Sequence, residues 1–307
     1  MYQQAENSNG TYLTCFHTQG TQIIHATSGN ITGPYTLRDT ATIPETNNPH
    51  VVRLSTGKYL LYHLNDDRRV PELPACTGAG PGGGCTGNIS GSSTPCGQAG
   101  KGAIGVAVSV SPDGPWQIEY PLCALLRQFS VPSNPSVLVL PGDQILLTFR
   151  YSKGGREAIA VARAPSYMGP YTLLNEDLPA VGLGTTASSG GPPTYRNKRG
   201  YHILVHQYNQ TKHEYPYGDP RMISGGHMYS LDAVTWHASQ YPTYTNQVTW
   251  AENNTRQMLN YRERPELIQD ADGNPRWLVA GGEWGHKYRF PTKGGPCQSF
   301  AMITEIV

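Results

Sequence analysis

Short apolar runs separated by Gly- and Pro-rich turns set the rhythm of this chain. Tyr59-Leu60-Leu61-Tyr62, Ile104-Gly105-Val106-Ala107-Val108, Ala158-Ile159-Ala160-Val161-Ala162 and Ile203-Leu204 all follow it. No segment with a 3.6-residue period lies between such runs, so they read as β-strands. A unit also repeats. It opens with a residue, a Pro and a β-branched run, then a Gly turn, then a second apolar strand. Asn48-Pro49-His50-Val51-Val52 leads to Thr56-Gly57-Lys58-Tyr59. Asn134-Pro135-Ser136-Val137-Leu138 leads to Pro141-Gly142-Asp143-Gln144. Pro192-Pro193-Thr194-Tyr195 leads to Arg199-Gly200-Tyr201, and Arg264-Pro265-Glu266-Leu267-Ile268 leads to Asp272-Gly273-Asn274.

A third strand follows in three units: Ile104–Ser109, Ala158–Ala162 and Gly226–Ser230. A turn and an aromatic then close the unit, as in Asp113-Gly114-Pro115-Trp116, Gly169-Pro170-Tyr171 and Val234-Thr235-Trp236. The N-terminal stretch supplies another such unit, with Asn9–Leu13, Thr21–Ala26 and Gly33-Pro34-Tyr35. Its Pro-equivalent would fall at Tyr2, so the first unit is expected to be cut at its inner strand. The repeat predicts an all-β fold: a five-bladed β-propeller, four antiparallel strands per blade, forming one domain over residues 1–307. Residues 71–100, rich in Gly, Ser and Cys, read as an inserted loop.

Composition narrows the class. The formal net charge is +1, which gives no field for nucleic acid or an anionic membrane. No apolar stretch has the length of a membrane span. The six cysteines (Cys15, Cys76, Cys85, Cys96, Cys123, Cys297) contain no CxxC, so they read as disulfide formers, with two of Cys76, Cys85 and Cys96 stapling the Gly-rich loop. Asn-x-Ser/Thr sequons stand at Asn9, Asn30, Asn88, Asn209 and Asn253. Together these predict a secreted glycoprotein. The polar start Met1-Tyr2-Gln3-Gln4 is no signal peptide, so the natural N-terminus is expected upstream.

The Asn-Pro strand starts, the Gly-x-Tyr-x-Leu second strands and the Ser-x-Asp-Gly-x-x-Trp-like closures resemble glycoside hydrolase family 43 and its clan of five-bladed propellers. The stretches Gly226–Trp236 and Arg262–Leu267 through Gly273-Asn274-Pro275 carry the resemblance most strongly. It implies a sugar site at the channel mouth where inner strands start, with an Asp base, a Glu acid and a second Asp that tunes the acid. Inverting hydrolysis needs acid and base about 6.5–9.5 Å apart. The residues before Pro depart from the pattern: Asn48, Asn134, Pro192 and Arg264 include no carboxylate.

Glu263 and Glu266 flank Arg264-Pro265 and are the catalytic candidates. Plain alternation would put Glu266 with Arg264 on one face and Glu263 on the other. Asn48, His50, Asn134, Arg150, His206, His227 and Arg264 are the candidate substrate ligands. His50 also suits the axial or metal position of such channels, and the paired Gly225-Gly226 before His227 allows close approach of backbone or ligand. Asp66, Asp67, Arg68 and Arg69 read as a solvated loop. No cofactor is assigned; a channel Ca²⁺ is compatible with the resemblance but not predicted. The expected partner is a carbohydrate, bound by a monomer. Two functions follow: a glycoside hydrolase acting on O-glycosidic bonds, or a glycan-binding propeller without turnover. A sialidase-like reading is weaker, because Ser230-Leu231-Asp232 is one residue short of an Asp-box.

Overall fold

The computed structural model describes residues 2–6, 21–40, 46–65, 103–119, 121–126, 128–154, 156–176, 178, 193–206, 225–241, 243–259, 261–284 and 298–306. The 71–100 loop, the Asp66–Arg69 run, the Asn9–Leu13 strand, every cysteine side chain and the sequons at Asn9, Asn88 and Asn209 lie outside them. The described residues are all-β. Helix is confined to one turn, Cys123–Leu126, and a 3-10 turn, Pro141–Asp143. The chain divides into two compact units: residues 1–11, 17–153 and 160–176, and residues 12–16, 154–159 and 177–307.

The first unit holds three antiparallel sheets. One joins β1 (Tyr2–Glu6), β2 (Thr21–Thr27) and β3 (Thr36–Thr40). The next joins β4 (Thr46–Arg53), β5 (Tyr59–Asn65), β6 (Ala103–Ser109) and β7 (Gln117–Glu119). The third joins β8 (Ser130–Leu140), β9 (Gln144–Lys153), β10 (Arg156–Ala164) and β11 (Thr172–Asn175). Apolar residues of β5 and β9 are buried on both faces: Leu60, Leu61 and Tyr62, and Ile145, Leu146 and Leu147, have no exposed surface. That explains their continuous rather than alternating hydrophobicity. Ile23, Leu61 and Ala107 pack together, with Val51 and Trp116 against them.

The closing turns of this unit are built alike. Gly33, Gly114 and Gly169 sit at φ of +89°, +81° and +86°, each followed by a cis proline and an aromatic residue. A side chain there would be forced into a left-handed backbone, so the recurrent Gly is required. The Tyr35 hydroxyl donates to the Ile31 carbonyl at 2.7 Å, and Tyr171 to Tyr167 at 2.9 Å. The aromatic thus folds back over its own turn.

The second unit holds a four-stranded sheet, β12 (Thr194–Asn197), β13 (Gly200–His206), β14 (Gly225–Ser230) and β15 (His237–Ala238). It also holds a ribbon, β16 (Gln247–Thr249) with β17 (Arg256–Met258), and a three-stranded sheet, β18 (Tyr261–Gln269), β19 (Pro275–Trp284) and β20 (Gln298–Glu305). Leu204, Tyr244 and Leu278 form its core, with Tyr195 and Leu267 packed on them. Here the closing turn lacks Gly-Pro and uses side-chain caps. Asp232 accepts from the Val234 and Thr235 amides at 2.8 and 2.7 Å, which holds its carboxyl down at a pKa of about 2. Trp236 Nε1 donates to the Ala233 carbonyl at 3.1 Å.

Three sheets have four strands, two have three, and β16–β17 is a pair, among the described residues. The repeat did not anticipate the ribbon, which has strands too short to show a period.

Candidate functional site

Three of the X-Pro dipeptides, Asn48-Pro49, Asn134-Pro135 and Arg264-Pro265, are β-bulges. In β4, Asn47 pairs with Leu64 and His50 with Tyr62, so Asn48-Pro49 together face His63. In β8, Ser133 pairs with Arg150 and Ser136 with Thr148, so Asn134-Pro135 face Phe149. In β18, Glu263 pairs with Gly281 and Glu266 with Val279, so Arg264-Pro265 face Ala280. The residue before Pro is left-handed in all three: Asn48 at φ +52°, Asn134 at +50° and Arg264 at +51°. Val131, before Pro132, repeats the device at +52°. Asn tolerates this region through its short polar side chain; Val and Arg do so at a cost of about 1–3 kcal/mol each. The same left-handed backbone thus recurs at the same repeat position in three sheets.

The bulge corrects the expected facing of the carboxylates. Two residues opposing one restore the alternation out of step, so Glu263 and Glu266 share a face, opposite Gly281 and Val279. Arg264 stands apart from both in the bulge and is exposed.

In the first unit the structure brings Asn48 and Asn134 together. Asn48 Nδ2 donates to Asn134 Oδ1, and Asn134 is buried. Arg150 Nε donates to the Ser133 hydroxyl at 2.9 Å, beside that bulge. His50 Nε2 is 2.9 Å from the Val137 carbonyl, which can only accept, so Nε2 carries a proton and ties β4 to β8. His50 therefore braces the two bulged strands.

In the second unit the Arg264 amide donates to His206 Nδ1 at 3.3 Å. A backbone N–H cannot accept, so Nδ1 of His206 holds the lone pair. His206 is buried. Arg262 lies on the other face from Glu263 and is also buried: Nη1 donates to the Thr245 carbonyl (3.2 Å), Nη2 to Thr304 Oγ1 (2.8 Å), and the guanidinium sits 5.1 Å from the Tyr244 ring centroid. Burial lowers the Arg262 pKa and raises that of Tyr244.

His227 stands elsewhere. Its Nε2 lies 3.0 Å from His202 Nδ1, and His202 Nε2 lies 3.0 Å from Asn197 Oδ1. The place left by the missing side chain at Gly225 is filled by the Tyr244 ring and Thr243 Oγ1. Close approach at the paired glycines is thus made by this chain's own aromatic. His202, Ser133 and Asn197 carried no repeat signal, since a single polar residue in a strand looks like any other, and Tyr244 lies between strands.

No family model matches the chain, and no curated protein matches it in sequence. Solved structures do. An endo-1,4-β-xylanase from Bacteroides thetaiotaomicron superposes with a TM-score of 0.56 at 12% identity, over 99% of this chain and 90% of that one. An α-L-arabinofuranosidase from Podospora anserina, in complex with cellotriose, gives 0.57 at 11% identity, over 100% and 86%. An endo-arabinase from Bacteroides thetaiotaomicron gives 0.51 at 15%, over 94% and 86%. The fold is similar to theirs. At such identities the likeness speaks for fold alone.

Proposed function

We propose that this chain is a secreted, five-bladed carbohydrate-active propeller of the family 43 type that hydrolyses O-glycosidic bonds where its inner strands begin. The observation that carries the reading is the recurrent left-handed X-Pro bulge at Asn48, Asn134 and Arg264. A bulge turns the strand head out of the ladder and re-aims the polar side chain beside it, a device met next to active sites. In the second unit His206 and Arg264 would bind sugar hydroxyls beside the glutamates; in the first, Asn48, Asn134 and Arg150 would do so at their own strand heads, with His50 holding two of the bulged strands in register.

Glu263 and Glu266 would do the chemistry. Their partners Gly281 and Val279 are two residues apart on β19, a rise of about 6.4–6.8 Å. Inverting hydrolysis would need their carboxyl groups about 6.5–9.5 Å apart. One carboxyl gives its proton to the glycosidic oxygen as the C–O bond breaks. The other, as carboxylate, takes a proton from the water that attacks the anomeric carbon.

A second reading, glycan binding without turnover, is favoured by the amide pair Asn48–Asn134, which stands where this reading of the site would welcome a carboxylate. A screen of aryl glycosides and plant-type polysaccharides separates the two. Under the hydrolase reading, Glu263→Gln or Glu266→Gln lowers kcat by about 10²–10⁴-fold. Sugar binding without turnover, weakened by Asn134→Ala and untouched by either Gln variant, would establish the binding module instead.

A further inference from the structure

The sheet β12–β15 carries a row of rings that the proposed site does not use. It runs Tyr195, His202, His227, Tyr229, His237, on one face and across all four strands. The Tyr195 and His202 rings stack at 4.7 Å and 15°. His202 and His227 have centroids 5.2 Å apart and planes at 17°. Their nearest nitrogens are 3.0 Å apart, so these two rings meet edge to edge through an in-plane hydrogen bond. Tyr229 lies 6.0 Å from His227 and stacks on His237 at 5.4 Å and 30°.

The inner end of the row is covered and the outer end is not. Tyr195 packs with Leu204, Leu278 and Leu267, and His202 is buried. Tyr229 is 43% exposed, and His237 is exposed too. Tyrosine and imidazole rings paired in the open are not explained by core packing.

The hydrogen bonds fix what the row offers. The Arg199 amide donates to Asn197 Oδ1 at 2.8 Å, which sets that oxygen as an acceptor. His202 Nε2 must then donate to it, leaving Nδ1 to accept from His227 Nε2. His227 Nδ1 is left with a lone pair and no partner among the described residues. Burial lowers the basicity of both rings, and the neighbouring imidazole and Arg199 lower that of His202 further. A fixed neutral acceptor suits a ligand hydroxyl and gives a phosphate or carboxylate nothing to bind.

We propose that Tyr229 and His237, with His227 as the oriented acceptor, form a second binding surface for a neutral saccharide chain, apart from the strand-head site. A sugar ring has a C–H face to lie on an aromatic plane and hydroxyls to donate at its rim, and a few placed polar groups beside aromatic surface are what such a ligand requires. The inference rests on the carbohydrate reading of this chain, and its role is to hold a polymer that the other site engages.

The test is retention on arabinan, xylan and galactan, by affinity gel electrophoresis, for the wild type, Tyr229→Ala/His237→Ala, His227→Phe and Glu263→Gln/Glu266→Gln. Exposed Tyr229 and His237 can be truncated without opening the core, and circular dichroism confirms the fold. Expected is about a tenfold loss of polymer affinity in the double Ala variant, which corresponds to about 1.4 kcal/mol. His227→Phe, which keeps a ring but removes the acceptor, falls in the same direction, and aryl-glycoside turnover by the double Ala variant is unchanged. Wild-type retention in the double Ala variant overturns the second surface, whatever the Gln variants do. Loss in the double Ala variant, with no effect of the Gln variants on turnover or binding, supports the surface while the strand-head site falls.

Discussion

The bulges at Asn48 and Arg264 share a backbone and differ in chemistry. Both put a left-handed residue before a proline, and both set two residues against one on the neighbouring strand. At Asn48 the amide is satisfied by its counterpart Asn134, and the strands are braced by His50. At Arg264 the guanidinium is exposed, while its amide is held by His206 and two glutamates flank it on a common face. The repeat supplies a geometry, and one residue per copy decides what the geometry does. The first unit's copy pairs amide with amide. The second unit's copy presents charge.

Ways to break this contrast run from large effects to small. The largest, on stability, lies behind the Arg264 bulge. Arg262→Ala removes two hydrogen bonds from a buried cation, and unfolding in urea should show a loss of about 2–3 kcal/mol. A loss near zero would mean that Arg262 is dispensable to the face opposite the glutamates.

Asn134→Ala comes next. It removes the acceptor of the Asn48–Asn134 hydrogen bond and puts a worse residue into a left-handed backbone, for a loss of about 2 kcal/mol. Asn134→Gly keeps the backbone comfortable and loses only the amide pair, so it should be the milder of the two by about 1 kcal/mol. Equal losses would show that φ at Asn134 carries no strain.

A pH titration probes the second unit away from either bulge. Burial and the neighbouring imidazole and Arg199 bring His202 from 6.5 down to about 4, and His227 is lowered by burial. The folded chain then binds fewer protons than the unfolded one in that window. The histidine contribution to stability should fall as pH drops from about 6.5 toward 4, by on the order of 2 kcal/mol, and itself level off below. His202→Phe should flatten the thermal unfolding midpoint over that range; an unchanged slope would assign the effect to other groups.

The smallest effect separates strain from function. Arg264→Gly relieves a left-handed arginine and should change stability by no more than about 1 kcal/mol, in the favourable direction. Sugar affinity should fall all the same. Unchanged affinity would remove Arg264 from the site.

Strand positions were legible because they follow local rules. The runs at Tyr59, Ile104, Ile145 and Tyr201 each lie within a strand, and the Gly-Pro-aromatic closures sit at the turns where the period put them. The bulges were half legible. Pro at a strand head is visible in the sequence, whereas plain alternation reads straight through it and misses the residue inserted into the ladder. That misreading placed Glu263 and Glu266 on opposite faces, since alternation assumes unbroken extension and φ near +50° breaks it.

The amino-acid sequence by itself determined the all-β class, the repeat and which residues stand at the strand heads. These depend on short-range alternation and on the conformational limits of Gly and Pro. Only the tertiary structure decided who meets whom: Asn48 with Asn134, His206 with the Arg264 amide, and the ring row from Tyr195 to His237. Each of those contacts joins different strands. Register is set by packing over a whole face, and no local pattern in the chain encodes it.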